Sequence, residues 1–407
     1  MFVERLLRQS FEKACASFPA VLVTGPRQSG KTTFLRHRAA SDHRFVTFDD
    51  PLERAFARDD PNGLLDRFGD RPAVLDEIQY APELLPYLKA RIDRQRKRRG
   101  AFLMTGSQQF ELMQGVSETL AGRVAILELL PFAIAELAGH GTPTLEGLVW
   151  NGGYPDPVLN PEARALWLSS YVRTYVERDV RQVRDIQDLR SFEQFLALIA
   201  AHHGQEVHAA TLSRALGVSQ PTIKSWISVL GASYIVTLLP PWHTNLGKRL
   251  IRTPKLYFLD PALVCFLTRQ PSSEAALAGP LGGALFEGLV VSEALKLFAA
   301  AATPPGCYFW RSHDGLEVDL VLELGGRLYP VEIKLTATPS TRHIDPLVRF
   351  RQLVGEGAEP GFLVCRVPEP KSLPHGVTAL PWSSWSAWLS AGLGLAPAPA
   401  TSVTGTG

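Results

Sequence analysis

Cysteine is scarce in this chain of 407 residues, and its four copies, at positions 15, 265, 307 and 365, lie far apart. No two of them have the C-x-x-C spacing of zinc or redox sites, and they are too few and too scattered for a disulfide framework. We therefore expect neither a structural zinc site nor disulfide bonds. A reducing compartment such as the cytoplasm fits this cysteine usage.

Long apolar runs and a signal peptide are also missing. The N-terminus, Met-Phe-Val-Glu-Arg-Leu-Leu-Arg, is charged throughout its first turns, unlike a secretory leader. The apolar stretches 124–137 and 285–303 are interrupted by charged residues, so neither is suited to crossing a bilayer. We expect no membrane partner and a cytoplasmic location.

An excess of one charge is the third absence. The sequence has 42 Lys and Arg against 40 Asp and Glu, a net charge of +2. This balance excludes a strong general field for polyanions, so any contact with nucleic acid must come from local patches. With 45% hydrophobic and 20% charged residues the composition is that of a soluble globular protein, and the length allows two or three domains.

A glycine loop near the N-terminus carries the most specific signal in the chain. Gly25, Gly30, Lys31 and Thr32 have the spacing G-x-x-x-x-G-K-[ST] of a phosphate-binding loop. An apolar β-branched run precedes the loop and a helical pattern follows it, which is the order that such a loop requires. The loop N–H groups would approach the phosphates of ATP, Lys31 would add a point charge, and the Thr32 hydroxyl would be a Mg²⁺ ligand. The predicted nucleotide-binding residues are Gly25, Pro26, Arg27, Gln28, Ser29, Gly30, Lys31, Thr32 and Thr33.

Two carboxylates end a second buried run, Pro72-Ala-Val-Leu-Asp-Glu-Ile78, which has the form of a Walker B motif. We predict that Asp76 holds the Mg²⁺ shell and that Glu77 orients and deprotonates the attacking water. The next strand ends in Thr105 and Ser107. Their hydroxyls are candidates for sensing the γ-phosphate, and an ordinary strand-end turn is the alternative.

These motifs together resemble the AAA+ superfamily and, within it, a widespread bacterial and archaeal group of predicted ATPases. The segments that carry the resemblance are 24–33, 75–79, 103–107, 119–123 with 129–132, 152–155 and 175–179. The resemblance covers about residues 1 to 390, and the Gln108-Gln109 pair departs from the group's small or hydroxyl residues.

The resemblance implies an ATPase that uses ATP and Mg²⁺ and assembles as a homo-oligomeric ring, a hexamer. In AAA+ rings an arginine of one subunit completes the site of its neighbour by stabilising charge on the transferring phosphoryl group. Arg123, then Arg178, are the candidates, with a surface salt bridge as the alternative for each. The basic run 91–99 favours a solvated helix end over a nucleic-acid contact.

The middle of the chain predicts a helical segment and a winged helix-turn-helix. Gly217 is the turn glycine, Ser219 caps the second helix, and Pro221 lies in its first turn. The run 234–239 would supply the wing strand. Residues that would face a DNA groove are Gln220, Thr222, Lys224 and Ser225. Because only one of them is basic, a structural or subunit-bridging role is favoured.

The C-terminal third combines a predicted amphipathic helix, residues 283–296, that carries Glu287 with a strand hairpin that turns at Gly325-Gly326. Asp319, Glu332 and Lys334 fall on adjacent strands of that hairpin, and Glu332 and Lys334 point to the same side because side chains alternate.

This arrangement resembles the PD-(D/E)XK nuclease core, and the ATPase group above is known for such a domain. The resemblance implies that Glu287, Asp319 and Glu332 hold one or two Mg²⁺ ions and that Lys334 positions or activates the attacking water. An ordinary E-x-K pair on a strand face is the alternative.

The predicted fold class is α/β with four segments. They are a P-loop AAA+ ATPase domain (1–160), a helical segment with a winged helix (161–250), a PD-(D/E)XK-like domain (251–395) and a disordered tail (396–407). We expect an ATPase that remodels or translocates branched or structured DNA, with a C-terminal domain that binds and can cleave it. The alternative is an ATP-dependent switch or scaffold for a protein partner, with an inactive pseudo-nuclease. The poorly basic winged helix favours the alternative, and the complete Glu287, Asp319, Glu332 and Lys334 set favours the first.

Overall fold

The computed structural model describes residues 2–107, 115–116, 118–139, 141, 143–176, 189–243 and 253–396. These residues divide into two compact units. The first comprises 2–131 with 299–303, and the second comprises the described residues of 132–298 with 304–396. Arg178, the Gln108-Gln109 pair and residues 397–407 of the predicted tail lie outside the described residues.

A five-stranded parallel sheet forms the centre of the first unit, in the order β2-β3-β4-β1-β5. The strands are β1 (Ala20–Thr24), β2 (Arg44–Thr47), β3 (Ala73–Asp76), β4 (Phe102–Thr105) and β5 (Val124–Glu128). Every residue of β1, β3 and β4 is buried, as is usual for parallel strands covered on both faces. Val23 pairs with Thr105 and Thr47 with Asp76, so the carboxyl ends of these strands lie at one edge.

Helices cover both faces of this sheet. They are α1 (Arg8–Ser17), α2 (Lys31–Arg38), α3 (Pro51–Asp59), α4 (Pro61–Asp66) and α5 (Leu84–Arg94). Successive residues of β1 point to opposite faces. Val21 and Val23 belong to the cluster with Phe11 of α1 and Phe34 of α2, whereas Leu22 belongs to the cluster formed with α4 and α5.

The basic run 91–99 closes α5, as the helix-end interpretation predicts. Arg91 donates hydrogen bonds to the Asp66 carboxylate at 2.7 Å and to the Gly69 carbonyl at 3.0 Å. Arg98 donates to the carbonyl of Asp70. Part of this run is therefore engaged with neighbouring loops of its own unit.

The second unit begins with short helices and continues into a helix-turn-helix. The helices are α6 (Ile134–Leu137), α7 (Leu145–Asn151), α8 (Pro155–Leu159), α9 (Arg164–Tyr171), α10 (Leu189–Ala201), α11 (Ala209–Leu216) and α12 (Gln220–Ala232). Gly217 ends α11 with φ 67°, and the Ser219 hydroxyl accepts the Thr222 N–H at 3.2 Å, both as predicted. Trp226 packs edge-on against Phe192, with ring centroids 5.3 Å apart, so these aromatic residues form core.

A three-stranded antiparallel sheet accompanies these helices, in the order β6-β8-β7. Its strands are β6 (Gln205–Glu206), β7 (Val236–Leu239) and β8 (Lys255–Phe258). β7 lies where the wing strand was predicted. β8 lies beyond residue 250, yet it pairs with both other strands, and all four of its residues are buried. The sheet that accompanies the helix-turn-helix therefore includes β8, a strand that lies after the boundary predicted at residue 250.

A six-stranded mixed sheet completes the second unit, in the order β13-β14-β12-β11-β10-β9. The strands are β9 (Cys307–Arg311), β10 (Glu317–Leu324), β11 (Arg327–Ile333), β12 (Phe362–Cys365), β13 (Lys371–Ser372) and β14 (Thr378–Pro381). The helices of this region are α13 (Pro261–Leu267), α14 (Ser273–Ala278), α15 (Gly282–Ala300), α16 (Asp345–Val354) and α17 (Trp382–Gly392). Gly325 and Gly326, with φ 56° and 77°, make the predicted hairpin turn between β10 and β11.

The helix α15 corrects one expectation, because it is buried on nearly every side rather than amphipathic. Even Glu293 and Lys296 are buried, and both have partners. The Glu293 carboxylate accepts the Ile134 N–H and the Ser386 hydroxyl, and Lys296 donates to the Phe132 carbonyl at 3.0 Å. Charged residues at helical spacing therefore did not mean that one face of α15 is exposed to solvent. Among the described residues, no helix combines the length and apolar character that spanning a bilayer requires.

His203, just after α10, is a buried titratable residue in the second unit. Its Nδ1 accepts the Phe258 N–H at 3.0 Å, and its ring meets Tyr257 edge to face. A Cβ added at Gly288 would come within 1.9 Å of the His203 Nε2. Burial lowers the pKa of His203 from 6.5 to about 3, so the ring is neutral in the folded protein.

We expect His203 to make the protein less stable in mild acid. Its folded pKa lies below its unfolded value, so the unfolded chain takes up the proton first, and stability is lost as pH falls below 6.5 towards 3. From pH 7 to pH 5 the loss from this residue is about 2 kcal/mol. Urea unfolding at several pH values should show a weaker pH dependence for His203→Gln than for wild type. The exposed control His313→Gln should keep the wild-type dependence, and equal dependence in both variants would contradict this account.

Candidate functional sites

The loop between β1 and α2 has the backbone geometry of a phosphate cradle. Gly30 precedes α2 with φ 93°, in the left-handed region that favours glycine. Gly25 has φ 144°, and a Cβ there would lie 2.3 Å from the Leu129 carbonyl oxygen. Both glycines of the motif are therefore required by the fold as well as by the chemistry of the loop. The loop leads directly into α2, and the first N–H groups of an α-helix have no partner within the helix.

Lys31 lies inside this loop with only 5% of its surface exposed. Its ammonium donates to the carbonyls of Gly25 at 3.2 Å and Pro26 at 2.8 Å. Burial lowers the pKa of Lys31 to about 8, against the opposing effect of the Glu77 carboxylate. The Ser29 hydroxyl is buried without a hydrogen-bond partner among the described residues. A desolvated cation and an unused hydroxyl in one loop fit a phosphate ligand.

The Asp76 carboxylate collects the other groups of the predicted nucleotide site. Its Oδ1 accepts the Thr32 hydroxyl at 2.7 Å and the Thr105 hydroxyl at 2.6 Å. Thr105 in turn accepts the Glu77 N–H at 2.8 Å. A carboxylate beside a hydroxyl is the donor set that Mg²⁺ prefers, so Thr32 and Asp76 fit the metal role assigned to them.

Glu77 follows β3 in a left-handed conformation, with φ 56°. This conformation is uncommon outside glycine and clusters at functional sites. The Gln79 side chain donates a hydrogen bond to the Glu77 carboxylate. Thr105 is bonded to both Asp76 and Glu77, so its contact with a γ-phosphate stays a prediction. The Ser107 hydroxyl is buried without a hydrogen-bond partner in the described part of the chain.

Arg123 lies at the opposite edge of the sheet from the phosphate loop. It precedes Val124, which pairs with Ala20 at the start of β1, whereas Thr24 pairs with Glu128. Its guanidinium makes two hydrogen bonds to the Asp93 carboxylate, at 2.8 and 2.9 Å. Arg123 is thus in the surface salt bridge that was the alternative, and its action on a neighbouring subunit stays a prediction.

Arg5 is a residue of this site that the sequence did not reveal. Its buried guanidinium donates to the Ser29 carbonyl at 3.0 Å and to the Leu130 carbonyl at 2.5 Å. It thereby ties the phosphate loop to the chain that follows β5. Arg5 lies before the first residue of α1, and no motif in the sequence surrounds it, so nothing in the sequence signalled such a contact.

The second unit gathers the predicted C-terminal site residues into one cluster. Lys334 lies between Asp319 and Glu332, with its ammonium 3.0 Å from Asp319 Oδ2 and 2.6 Å from Glu332 Oε1. Asp319 Oδ2 also accepts the Ile333 N–H at 2.8 Å. The other oxygen of Glu332, Oε2, is buried without a hydrogen-bond partner among the described residues. The hairpin thus brings Asp319, Glu332 and Lys334 together as predicted.

Glu287 enters the cluster through two partners from β8 that were not predicted. The Lys255 ammonium lies 3.0 Å from Glu287 Oε1, and the Tyr257 hydroxyl donates to the same oxygen at 2.5 Å. Lys255 also forms an ion pair with Glu317. Lys255 lies 32 residues before Glu287, so no local spacing could have revealed the pair.

The electrostatics of this cluster follow from its burial. Burial, with Asp319 as the next cause, raises the pKa of Glu287 to about 7 and that of Glu332 to about 8. Although burial alone would lower the pKa of Lys255, the charges of Glu287 and Glu317 raise it, so the ammonium stays charged.

No three His, Cys, Asp or Glu side chains in the described ranges are close enough together to hold a metal ion. Lysines bridge the carboxylates instead. The metal roles of Glu287, Asp319 and Glu332 stay predictions.

Three segments of the chain match known protein families. Residues 17–138 match an AAA domain, which supports an ATPase domain and implies nucleotide binding at the loop described above. Residues 142–274 and 282–385 match two domains of unknown function, DUF8612 and DUF4143. The family boundaries thus fall near residues 140 and 280.

Two curated relatives cover most of the chain. They are Uncharacterized protein Rv2008c of Mycobacterium tuberculosis and Uncharacterized protein Mb2031c of Mycobacterium bovis. Each is 35% identical over 338 residues, which span 82% of this chain and 73% of the relative. The alignment is longer than any one of the three matched segments.

Solved structures give weaker similarities. A RuvB variant from Thermotoga maritima is 17% identical with a TM-score of 0.28, over 58% of this chain and 86% of that one. A structure of Drosophila ORC bound to AT-rich DNA and Cdc6 is 12% identical with a TM-score of 0.20, over 65% and 93%. Neither score is high enough to indicate what this chain does.

Arg5 provides a test of the loop geometry through stability. Arg5→Met leaves the buried carbonyls of Ser29 and Leu130 without this donor, and we expect a loss of about 2 kcal/mol in the free energy of unfolding. The control is Arg8→Met, which removes a partly exposed pair with Glu4 at 3.7 Å and should cost less than about 0.5 kcal/mol. Urea unfolding followed by circular dichroism compares the two variants. Equal losses would show that the Arg5 contacts do not stabilise the loop.

Proposed function

The chain belongs to the family of these two mycobacterial proteins, and we propose that it is an AAA+ ATPase that hydrolyses ATP with Mg²⁺ to act on DNA. In this proposal a homo-oligomeric ring, a hexamer, remodels or translocates branched or structured DNA. The second unit binds the DNA and cleaves phosphodiester bonds. The observation that carries the ATPase part is the Asp76 carboxylate, which links the Thr32 and Thr105 hydroxyls beside the phosphate loop.

In the first unit, different residues would bind the phosphates, hold the Mg²⁺ and activate the attacking water. The loop N–H groups and Lys31 bind the phosphates, and Lys31 exchanges the carbonyls of Gly25 and Pro26 for phosphate oxygens. Thr32 and Asp76 would hold Mg²⁺, which neutralises charge on the phosphates. Glu77 accepts the proton of the attacking water, in a position set by its left-handed backbone and by Gln79.

Support for the DNA part comes from the second unit. The three helices α10 to α12 with the sheet β6-β8-β7 have the element order of a winged helix, and Gln220 and Lys224 are exposed on α12. The αβββαβ order of α15, β9 to β11, α16 and β12 supports a PD-(D/E)XK-like core. Glu332 offers an unused buried oxygen, and Lys334 is a cation 40% exposed to solvent beside it. Carboxylates and a lysine in this arrangement suit phosphodiester hydrolysis.

One observation favours a second function, an ATP-dependent switch or scaffold with an inactive pseudo-nuclease. Lys255 and Lys334 pair with all three predicted metal ligands, so the cluster has its own cations. A buried cluster neutralised in this way can be kept for structure or for binding. The partner in this case would be a protein.

The ATPase activity is tested with two variants of the first unit. We expect Glu77→Gln to lower kcat by at least about 10²-fold while retaining ATP binding, because a general base is lost. Lys31→Ala should lose binding itself, and the exposed control Lys97→Ala should behave as wild type. Phosphate release and binding of a fluorescent ATP analogue measure the two effects. A wild-type protein that neither binds nor hydrolyses ATP with Mg²⁺ would refute the proposal.

The DNA activity is tested with linear, forked and four-way DNA in the presence of ATP and Mg²⁺. We expect Lys334→Ala to abolish cleavage and to leave ATP hydrolysis intact, because Lys334 belongs to the second unit. The control is Lys371→Ala, at an exposed position of β13 in the same sheet. If wild type cuts and remodels none of these substrates and a specific protein co-purifies with it, the switch function is favoured instead.

A further inference from the structure

Lys255 lies where the carboxylate cluster of the second unit would receive a cation. It comes from β8 of the three-stranded sheet and meets Glu287 of α15 and Glu317 of β10. We propose that the Lys255 ammonium is a built-in cation of this cluster, which holds Glu287 and Glu317 in place of a divalent ion and competes with that ion for them. The inference rests on the metal site in the proposed function.

The position of Lys255 is fixed by its surroundings. It is 3% exposed, and its ammonium lies 5.5 Å from the centre of the Phe309 ring. An ammonium has three donors and no acceptor, and here it contacts two carboxylates. A lysine buried this deeply stays charged only with such partners. Its pairing is therefore part of the folded structure and not a chance surface contact.

The strand β8 presents two donors to the same oxygen of Glu287. Lys255 and Tyr257 are two residues apart, so their side chains leave the strand on one side. Both reach Glu287 Oε1, at 3.0 and 2.5 Å. A metal ligand must offer an oxygen to the ion, and this oxygen of Glu287 already accepts from two donors of β8. An ion bound by Glu287 would therefore share the carboxylate with the Lys255 ammonium, and the two cations would repel each other.

On the opposite side of the cluster, one carboxylate oxygen is left without a partner. Glu332 is 3% exposed, and its Oε2 has no hydrogen-bond partner among the described residues. Lys334 satisfies only the other oxygen, at 2.6 Å. Lys255 is shared by Glu287 and Glu317, Lys334 is shared by Asp319 and Glu332, and Arg311 is a further cation on Glu317. The unused Glu332 oxygen offers a divalent ion one ligand, and the charge of Lys255 on the other side of the cluster opposes its entry.

Mn²⁺ binding, measured by titration calorimetry without nucleotide, tests the inference. We expect Lys255→Met to bind Mn²⁺ at least about tenfold more tightly than wild type, because a like charge close to the ion is removed. Lys255→Arg should resemble wild type, and Lys371→Met is the matched control for an exposed lysine. Adding Glu332→Gln to Lys255→Met should abolish the gain, which assigns it to this cluster. Mn²⁺ affinity in Lys255→Met equal to or below that of wild type would overturn the inference.

Thermal melting supplies a second readout, and Lys255→Gln a second variant if Lys255→Met does not fold. Both variants should melt below wild type in EDTA, and Mn²⁺ should raise their Tm by more than it raises that of wild type. An equal rise in all forms would overturn the inference. Failure of the nuclease function is distinguishable. If Lys255→Met binds Mn²⁺ more tightly and no form cleaves DNA, the proposed nuclease function is refuted and the inference about Lys255 stands. If wild type cleaves DNA and Lys255→Met has the wild-type Mn²⁺ affinity, the inference is refuted and the nuclease function stands.

Discussion

The hydrogen bonds to the Asp76 carboxylate are the constraint on which the nucleotide site depends. Asp76 ends β3, Thr105 ends the neighbouring β4, and Thr32 begins the helix that follows β1. The strand order β3-β4-β1 is what brings these three groups to one edge. A change of register by one residue would turn the side chains to the other face of the sheet. The same strand order and register therefore determine both the fold of the first unit and the geometry of its site.

The second unit is organised by a different constraint, the burial of charge. Along α15 the carboxylates of Glu287 and Glu293 are both inside, and each meets donors from distant parts of the chain. Removal of one partner from a buried pair costs about 3–5 kcal/mol, because the other charge is left without compensation. These contacts therefore fix which elements may lie beside α15. They also explain why a helix with charged residues at regular spacing is not amphipathic in the folded chain.

The sequence was most informative where the functional groups are neighbours along the chain. The loop 25–33 and the pair Asp76-Glu77 are local patterns, and the structure places them as their spacing predicts. The hairpin did the same for Asp319 and Lys334. Arg5 and Lys255 could not be recognised, because their partners lie 125 and 32 residues away. A single arginine or lysine among apolar residues is normally taken to extend its charged end into solvent. Only the tertiary fold shows which groups surround it.

The two units hold their carboxylates with different kinds of donor, and this difference has a chemical consequence. Asp76 is held by neutral hydroxyls, which leave its negative charge available to a cation. Glu287 and Asp319 are held by ammonium groups, which supply the opposite charge themselves. In the proposed function a divalent ion at Asp76 would therefore add charge where no cation is bound to the carboxylate, whereas an ion at Glu287 would meet the charge of Lys255. By this argument the proposed metal at Asp76 would not compete with a lysine, and the proposed metal in the second unit would.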